Sequence, residues 1–101
     1  MPKGYVMFTE EIHDQKALDA YTAAATPIVL AGGAVPVIIG PPQAVVEGTW
    51  HGDITVLLEF ESVEAATAWY HGEEYQAIAP QRQAATSSNV AIFGRFELPP
   101  A

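Results

Sequence analysis

The sequence predicts an α+β fold: a ferredoxin-like antiparallel sheet with helices on one face. Three observations predict it. First, strand-type and helix-type patterns alternate along the 101 residues, in the order strand, helix, three strands, two helices, strand. Second, the three middle strands suit a meander while the helical crossovers bring the outer strands in, which is the ferredoxin-like arrangement with one extra strand. Third, the runs at 37–39 and 54–60 are apolar on nearly both faces, a pattern typical of strands covered on both sides. Two helices cover only one face, so the other calls for a second copy packed sheet to sheet. The expected homodimer would bury on the order of 800 Å² per partner.

Each element has its own grounds. Tyr5–Glu10 is rich in strand formers and makes the first strand. Asp14 is a good N-cap for the helix that follows. There Leu18, Tyr21, Ala25 and Ile28 recur at spacings of three, four and three, on one face. Pro27 is expected to kink or end that helix early, and Gly32-Gly33 to stop it. Ala34–Ile39 reads as a second strand, with Pro36 marking an edge or a bulge. A third strand is expected at Ala44–Thr49 after the Gly40-Pro41-Pro42 turn, joined through a hairpin at Trp50-His51-Gly52-Asp53 to the strong strand Ile54–Phe60. Ser62 caps a helix striped by Ala65, Ala66, Trp69 and Tyr70, which ends at His71-Gly72. A short helix from Glu73 sets Tyr75, Ile78, Ala79 and Arg82 on one face, and Asn89–Phe96 reads as the last strand.

Composition bounds the function. The length suits one domain, residues 1–101, with a modest core. The formal charge is −8, with Lys3, Lys16, Arg82 and Arg95 the only basic residues besides histidine. Binding phosphate backbones needs clustered Lys and Arg, so nucleic acid and anionic membranes are not expected partners. There is no cysteine, which excludes disulfides and thiol catalysis. No apolar run approaches a membrane span, and the first residues lack a signal-peptide layout, so the expected location is cytoplasmic.

The residues able to do chemistry concentrate between Glu47 and Arg82. Arg82 shares an apolar helical face with Tyr75, and a buried guanidinium needs an acceptor. That acceptor is either Glu47, Glu59 or a helix-end carbonyl, or the carboxylate or enolate oxygen of a ligand. Tyr21, Tyr70 and Tyr75 each offer core packing or a phenol that donates to a substrate carbonyl. Trp69 is a core or pocket wall. His51 lies in a turn, where an imidazole can serve as general acid or base. Glu59 shares its strand face with Leu57, so its carboxylate is either a proton carrier with a raised pKa or a paired group at the sheet rim. Glu47 offers the same choice. His51-Gly52-Asp53 supplies two possible metal ligands where a site usually needs three or more, so no metal is expected. Gly32-Gly33 lacks the spacing of a phosphate loop, and no cofactor is expected.

Lys3-Gly4-Tyr5, Tyr21, Gly32-Gly33, Glu47-Gly48, Phe60-Glu61-Ser62, Ala65-Ala66, Trp69-Tyr70, Glu74-Tyr75 and Pro80-Gln81-Arg82 together resemble the DUF1330 family. The resemblance spans about residues 3 to 95. It implies membership of the dimeric α+β barrel superfamily, and with it the homodimer. That superfamily includes cofactor-independent monooxygenases, muconolactone-type isomerases, polyketide cyclases and haem-binding enzymes, with pockets between sheet and helices. One position departs from the family pattern: the serine usual in Trp-Tyr-x-Ser-x-x-Tyr is Gly72 here.

Residues and resemblance together point to a cofactor-independent enzyme acting on a small aromatic or carbonyl compound, by isomerisation, cyclisation or oxygenation. Arg82 would hold an oxyanion, Tyr21 or Tyr75 would donate a hydrogen bond, and His51 or Glu59 would move a proton. Trp69, Tyr70 and Glu47 would complete the binding surface. The alternative is a non-catalytic small-molecule-binding or assembly protein built on the same scaffold.

Overall fold

The structure, a computed structural model, describes residues 2–100. Strand β1 (Gly4–Ile12) leads into helix α1 (Gln15–Ala31), then β2 (Val35–Gly40) and β3 (Ile54–Phe60). Helices α2 (Val63–His71) and α3 (Glu73–Ala85) precede β4 (Thr86–Gly94). The strands form one antiparallel sheet in the order β2-β3-β1-β4, the ferredoxin-like arrangement. No described helix is long and apolar enough to cross a membrane.

The expected N-caps are formed. The Asp14 carboxylate accepts from the Ala17 N–H at 3.0 Å and the Ser62 hydroxyl from the Ala65 N–H at 3.0 Å, each satisfying a first-turn donor. Alternation along the central strands then sorts the faces. Val6, Phe8 and Glu10 of β1 and Ile54, Val56, Leu58 and Phe60 of β3 stand on the helix side, opposite one another in register. Leu18, Tyr21, Ala25, Ala66, Tyr75 and Ala79 close the core from the helices. Tyr5, Met7, Thr9, Thr55, Leu57 and Glu59 take the opposite face, which no helix covers. That face exposes large apolar groups, with Val35, Ile38 and Phe93 at 55%, 46% and 49% of their surface.

Three expectations are corrected. No strand forms at Ala44–Thr49, and no tight hairpin joins it to β3; residues 41–53 make an irregular loop between β2 and β3. Both edges of β3 are already taken, by β2 and β1, so a further strand would have to pair outside β2. There Pro36 lacks a donor and the register shifts between Pro36 and Ile38, which leaves a poor template. Pro27 does not end α1, which continues to Ala31. Pro27 and Ala23 are both exposed, so the carbonyl that Pro27 leaves without a donor faces water. The last strand runs over Thr86–Gly94, earlier than the Asn89–Phe96 that its apolar residues suggest. The polar Thr86, Ser87 and Ser88 continue the pairing with Ile12, Glu11 and Glu10.

The loop returns to the sheet at one fixed point. The Asp53 N–H donates to the Glu10 carbonyl at 2.7 Å, and its carboxylate accepts from the Ile12 N–H at 2.8 Å. Gly52 has φ +90° there, and a Cβ on it would stand 2.8 Å from the Glu10 backbone. Gly52→Ala is therefore expected to cost about 2 kcal/mol or more in urea unfolding. Gly48 has a similar φ of +70° but open space around it. Gly48→Ala should cost only about 1 kcal/mol, for the left-handed backbone alone.

Candidate functional site

The apolar layer between helices and sheet contains a buried polar chain. Helical spacing sets Tyr75, Ala79 and Arg82 on the inner face of α3, and α1 brings Tyr21 to the same place. The Arg82 Nε–H donates to the Tyr75 hydroxyl oxygen at 3.0 Å. The hydroxyls of Tyr75 and Tyr21 are 2.7 Å apart and hydrogen-bonded. The guanidinium carbon lies 5.3 Å from the centroid of the Phe8 ring, a cation–π contact. Tyr70 and Trp69 pack on Tyr75 with ring centroids 5.4 Å and 4.6 Å away, closing the aromatic wall.

Glu10 completes the group from the sheet side, next in alternation after Val6 and Phe8. It is 3% exposed and Arg82 is 2% exposed. Among the described residues, no carboxylate lies within 4.0 Å of Arg82. Burial pushes the Glu10 carboxyl above the usual range, and the Arg82 charge only partly offsets this. Burial also pushes both tyrosine hydroxyls up, so they stay protonated and act as hydrogen-bond donors. Arg82 keeps its charge: burial alone would lower its pKa, but the surrounding tyrosines more than offset that.

Tyr21 and Glu10 reach a cavity of about 180 Å³ between α1 and the β2–β3 side of the sheet. Phe8, Val29, Pro36, Val56, Leu58 and Trp69 supply apolar wall, and the exposed Leu30 and Ile39 are also among its lining residues. Arg82 and Tyr75 do not line it. Their effect reaches the cavity through Tyr21. The guanidinium donates to Tyr75, and either hydroxyl of the Tyr75–Tyr21 pair can donate to the other; when Tyr75 donates, the Tyr21 O–H is free for an acceptor in the cavity. An apolar chamber with one backed donor and one carboxyl of raised pKa suits a carbonyl compound that gains negative charge on oxygen as it loses a proton.

The structure brings together Arg82, Tyr75, Tyr21, Trp69 and Tyr70. It does not bring His51, Glu59 or Glu47 to them. His51 is exposed on the opposite face of the sheet, its Nδ1 2.7 Å from the Thr9 hydroxyl. Glu59 accepts there from the Tyr5 hydroxyl at 3.0 Å, a bond that raises the Tyr5 pKa. Glu47 is exposed in the 41–53 loop. None of these carboxylates pairs with Arg82. Glu10 is the residue that sequence reasoning missed. Its signal is the alternation Val6-Phe8-Glu10, which places an acid where a third core side chain belongs. At the departing position, Gly72 starts α3 without a side-chain cap, and a Cβ there would stand 2.9 Å from the Ala68 carbonyl oxygen. Among the described residues there is no cluster of three or more acids or histidines able to hold a metal.

The sequence matches the family described as "Domain of unknown function (DUF1330)" over residues 3–96, and the chain belongs to that family. No curated protein matches it. Among solved structures, a protein of unknown function from Rhodopseudomonas palustris is similar with a TM-score of 0.76 and 18% identity, covering 96% of this chain and 85% of that one. A dimeric ferredoxin-like protein of unknown function from Jannaschia sp. CCS1 has a TM-score of 0.66 at 16% identity, covering 90% and 97%. SnoaB, a cofactor-independent oxygenase from Streptomyces nogalater, has a TM-score of 0.65 at 9% identity, covering 100% of both chains. At these identities the likeness is one of fold.

The raised Glu10 pKa has a definite sign for stability. The folded state holds this proton more tightly than the unfolded chain does. The stability it confers is full below the usual glutamate range and is lost as pH rises through the raised value. Glu10→Gln should therefore match the wild type near pH 4 and exceed it in stability near pH 8, as read by urea unfolding at each pH.

Proposed function

We propose that this member of the DUF1330 family is a cytoplasmic homodimeric enzyme that enolises a small aromatic or carbonyl compound without a cofactor. One observation carries the reading: a buried Arg82–Tyr75–Tyr21 chain ends at an apolar cavity that also contains the Glu10 carboxyl. In this reading the ionised Glu10 takes a proton from the carbon beside a carbonyl group. The C–H electron pair becomes the new C=C bond while the carbonyl π pair moves onto oxygen, which becomes an enolate oxygen. The Tyr21 O–H donates to that oxygen, and the Arg82 charge behind Tyr75 favours its negative charge. A carboxyl whose pKa is raised by burial is, once ionised, a better base than an ordinary glutamate. Isomerisation, cyclisation and oxygenation can all begin from the enolate, so this step is common to the outcomes considered. The resemblance in fold to a cofactor-independent oxygenase supports the absence of a cofactor requirement. His51 and Glu59 have no part in this chemistry.

The homodimer rests on the bare sheet face with its exposed Val35, Ile38 and Phe93, and on the dimeric neighbour from Jannaschia. Burying such a patch against its equal removes apolar surface from water on both copies.

Two measurements test the reading. Cyclohexanone and 4-methylphenol in D₂O are followed by NMR for hydrogen–deuterium exchange at carbon, next to the carbonyl or ortho to the hydroxyl. The protein is expected to accelerate exchange of at least one of them. Glu10→Gln should slow that exchange by roughly 100-fold or more, and Tyr21→Phe by roughly 10-fold. No acceleration, or full activity in Glu10→Gln, overturns the enzymatic reading. Sedimentation at micromolar concentration should show a species of twice the 10.8 kDa protomer mass, and only the 10.8 kDa species would overturn the dimer.

A further inference from the structure

The cavity has a measurable size, and one side chain stands between it and a neighbouring groove. Its volume of about 180 Å³ compares with the roughly 150 Å³ of an apolar protein cavity that holds benzene. One six-membered ring with a small substituent fits. A fused second ring would need about half as much space again. Trp69 bounds the chamber and also lines the groove outside it, between α1 and the α2–α3 junction, so its indole is the partition between the two.

The position of that indole depends on Gly32. The Gly32 backbone is ordinary, with φ −77°, so no turn geometry requires glycine there. What requires it is the ring: a Cβ on Gly32 would stand 2.4 Å from the Trp69 Cδ1 atom. The indole is held from its other sides by the Phe60 ring at 5.3 Å and the Tyr75 ring at 4.6 Å between centroids. Its N–H points at the Ile28 carbonyl, 3.4 Å away. The missing side chain of Gly32 thus lets the indole lie back against α1, and what remains in front of it is one ring's worth of space.

We propose that the cavity takes a single-ring enol or phenol whose oxygen meets the Tyr21 hydroxyl, and that Trp69, seated on Gly32, enforces the one-ring limit. This rests on the site reading above, which supplies the oxygen contact; the size limit rests on the cavity and the Gly32–Trp69 contact alone.

The experiment compares two probes, 4-methylphenol and 2-naphthol, by calorimetry on the full chain. 4-Methylphenol should bind wild type at least tenfold more tightly than 2-naphthol, although 2-naphthol is the more hydrophobic. Trp69→Phe should narrow that preference, strengthening 2-naphthol at least fivefold. If Trp69→Phe does not fold, Val29→Ala enlarges the same chamber from α1 and should act in the same direction. Tyr21→Phe should weaken both probes by about tenfold. Equal binding of the two probes to wild type, with Tyr21→Phe still weakening both, overturns the size limit and leaves the site reading standing. Binding that ignores Tyr21→Phe, or no binding of either probe, overturns the site reading and the proposal together. An unchanged preference in the enlarged variants overturns the role of Trp69.

Discussion

A guanidinium almost wholly removed from water, with no carboxylate within 4.0 Å among the described residues, is the constraint on which the helical layer depends. An unpaired buried charge is costly, so everything around Arg82 has to compensate. Tyr75 accepts from it, Tyr21 extends the chain, and the Phe8 ring faces it. These contacts come from α3, α1 and β1, so satisfying one charge ties both sides of the core together. The same demand accounts for the aromatic density of the region. Tyr70 and Trp69 stack on Tyr75 and keep water away from a hydrogen-bond chain that gains strength in a low dielectric.

The same charge bears on the neighbouring acid. Glu10 feels the Arg82 charge without being bonded to it, so burial dominates and its carboxyl moves up instead of down. A direct ion pair would have favoured the charged form of the acid. The covered side of the core therefore holds one buried cation and one acid whose pKa is raised.

The two faces of the sheet divide the remaining labour. On the uncovered face, polar side chains pair locally, Tyr5 with Glu59 and Thr9 with His51, among apolar neighbours that offer area for association. On the covered face, the polar groups converge across three elements. The pleat makes the division, because adjacent residues on β1 and β3 point to opposite sides.

Much of this was legible along the chain. Alternation located β1 and β3, spacing located the inner stripes of α1 and α3, and Asp14 and Ser62 announced the helix starts, because local patterns dictate local structure. The stripe carrying Tyr75 and Arg82 was readable for the same reason. The strand expected at Ala44–Thr49 failed because its fate depends on a free partner edge, and β3 had none to offer. The placement of His51 and Glu59 away from Arg82 has a related reason. Sequence alone determined that a scarce arginine and several tyrosines share helical faces in a chain of strand–helix alternation. Only the tertiary structure decided that Glu10, and not His51 or Glu59, lies with them. Which face of a sheet a side chain occupies follows from periodicity, but which face meets the helices follows only from packing.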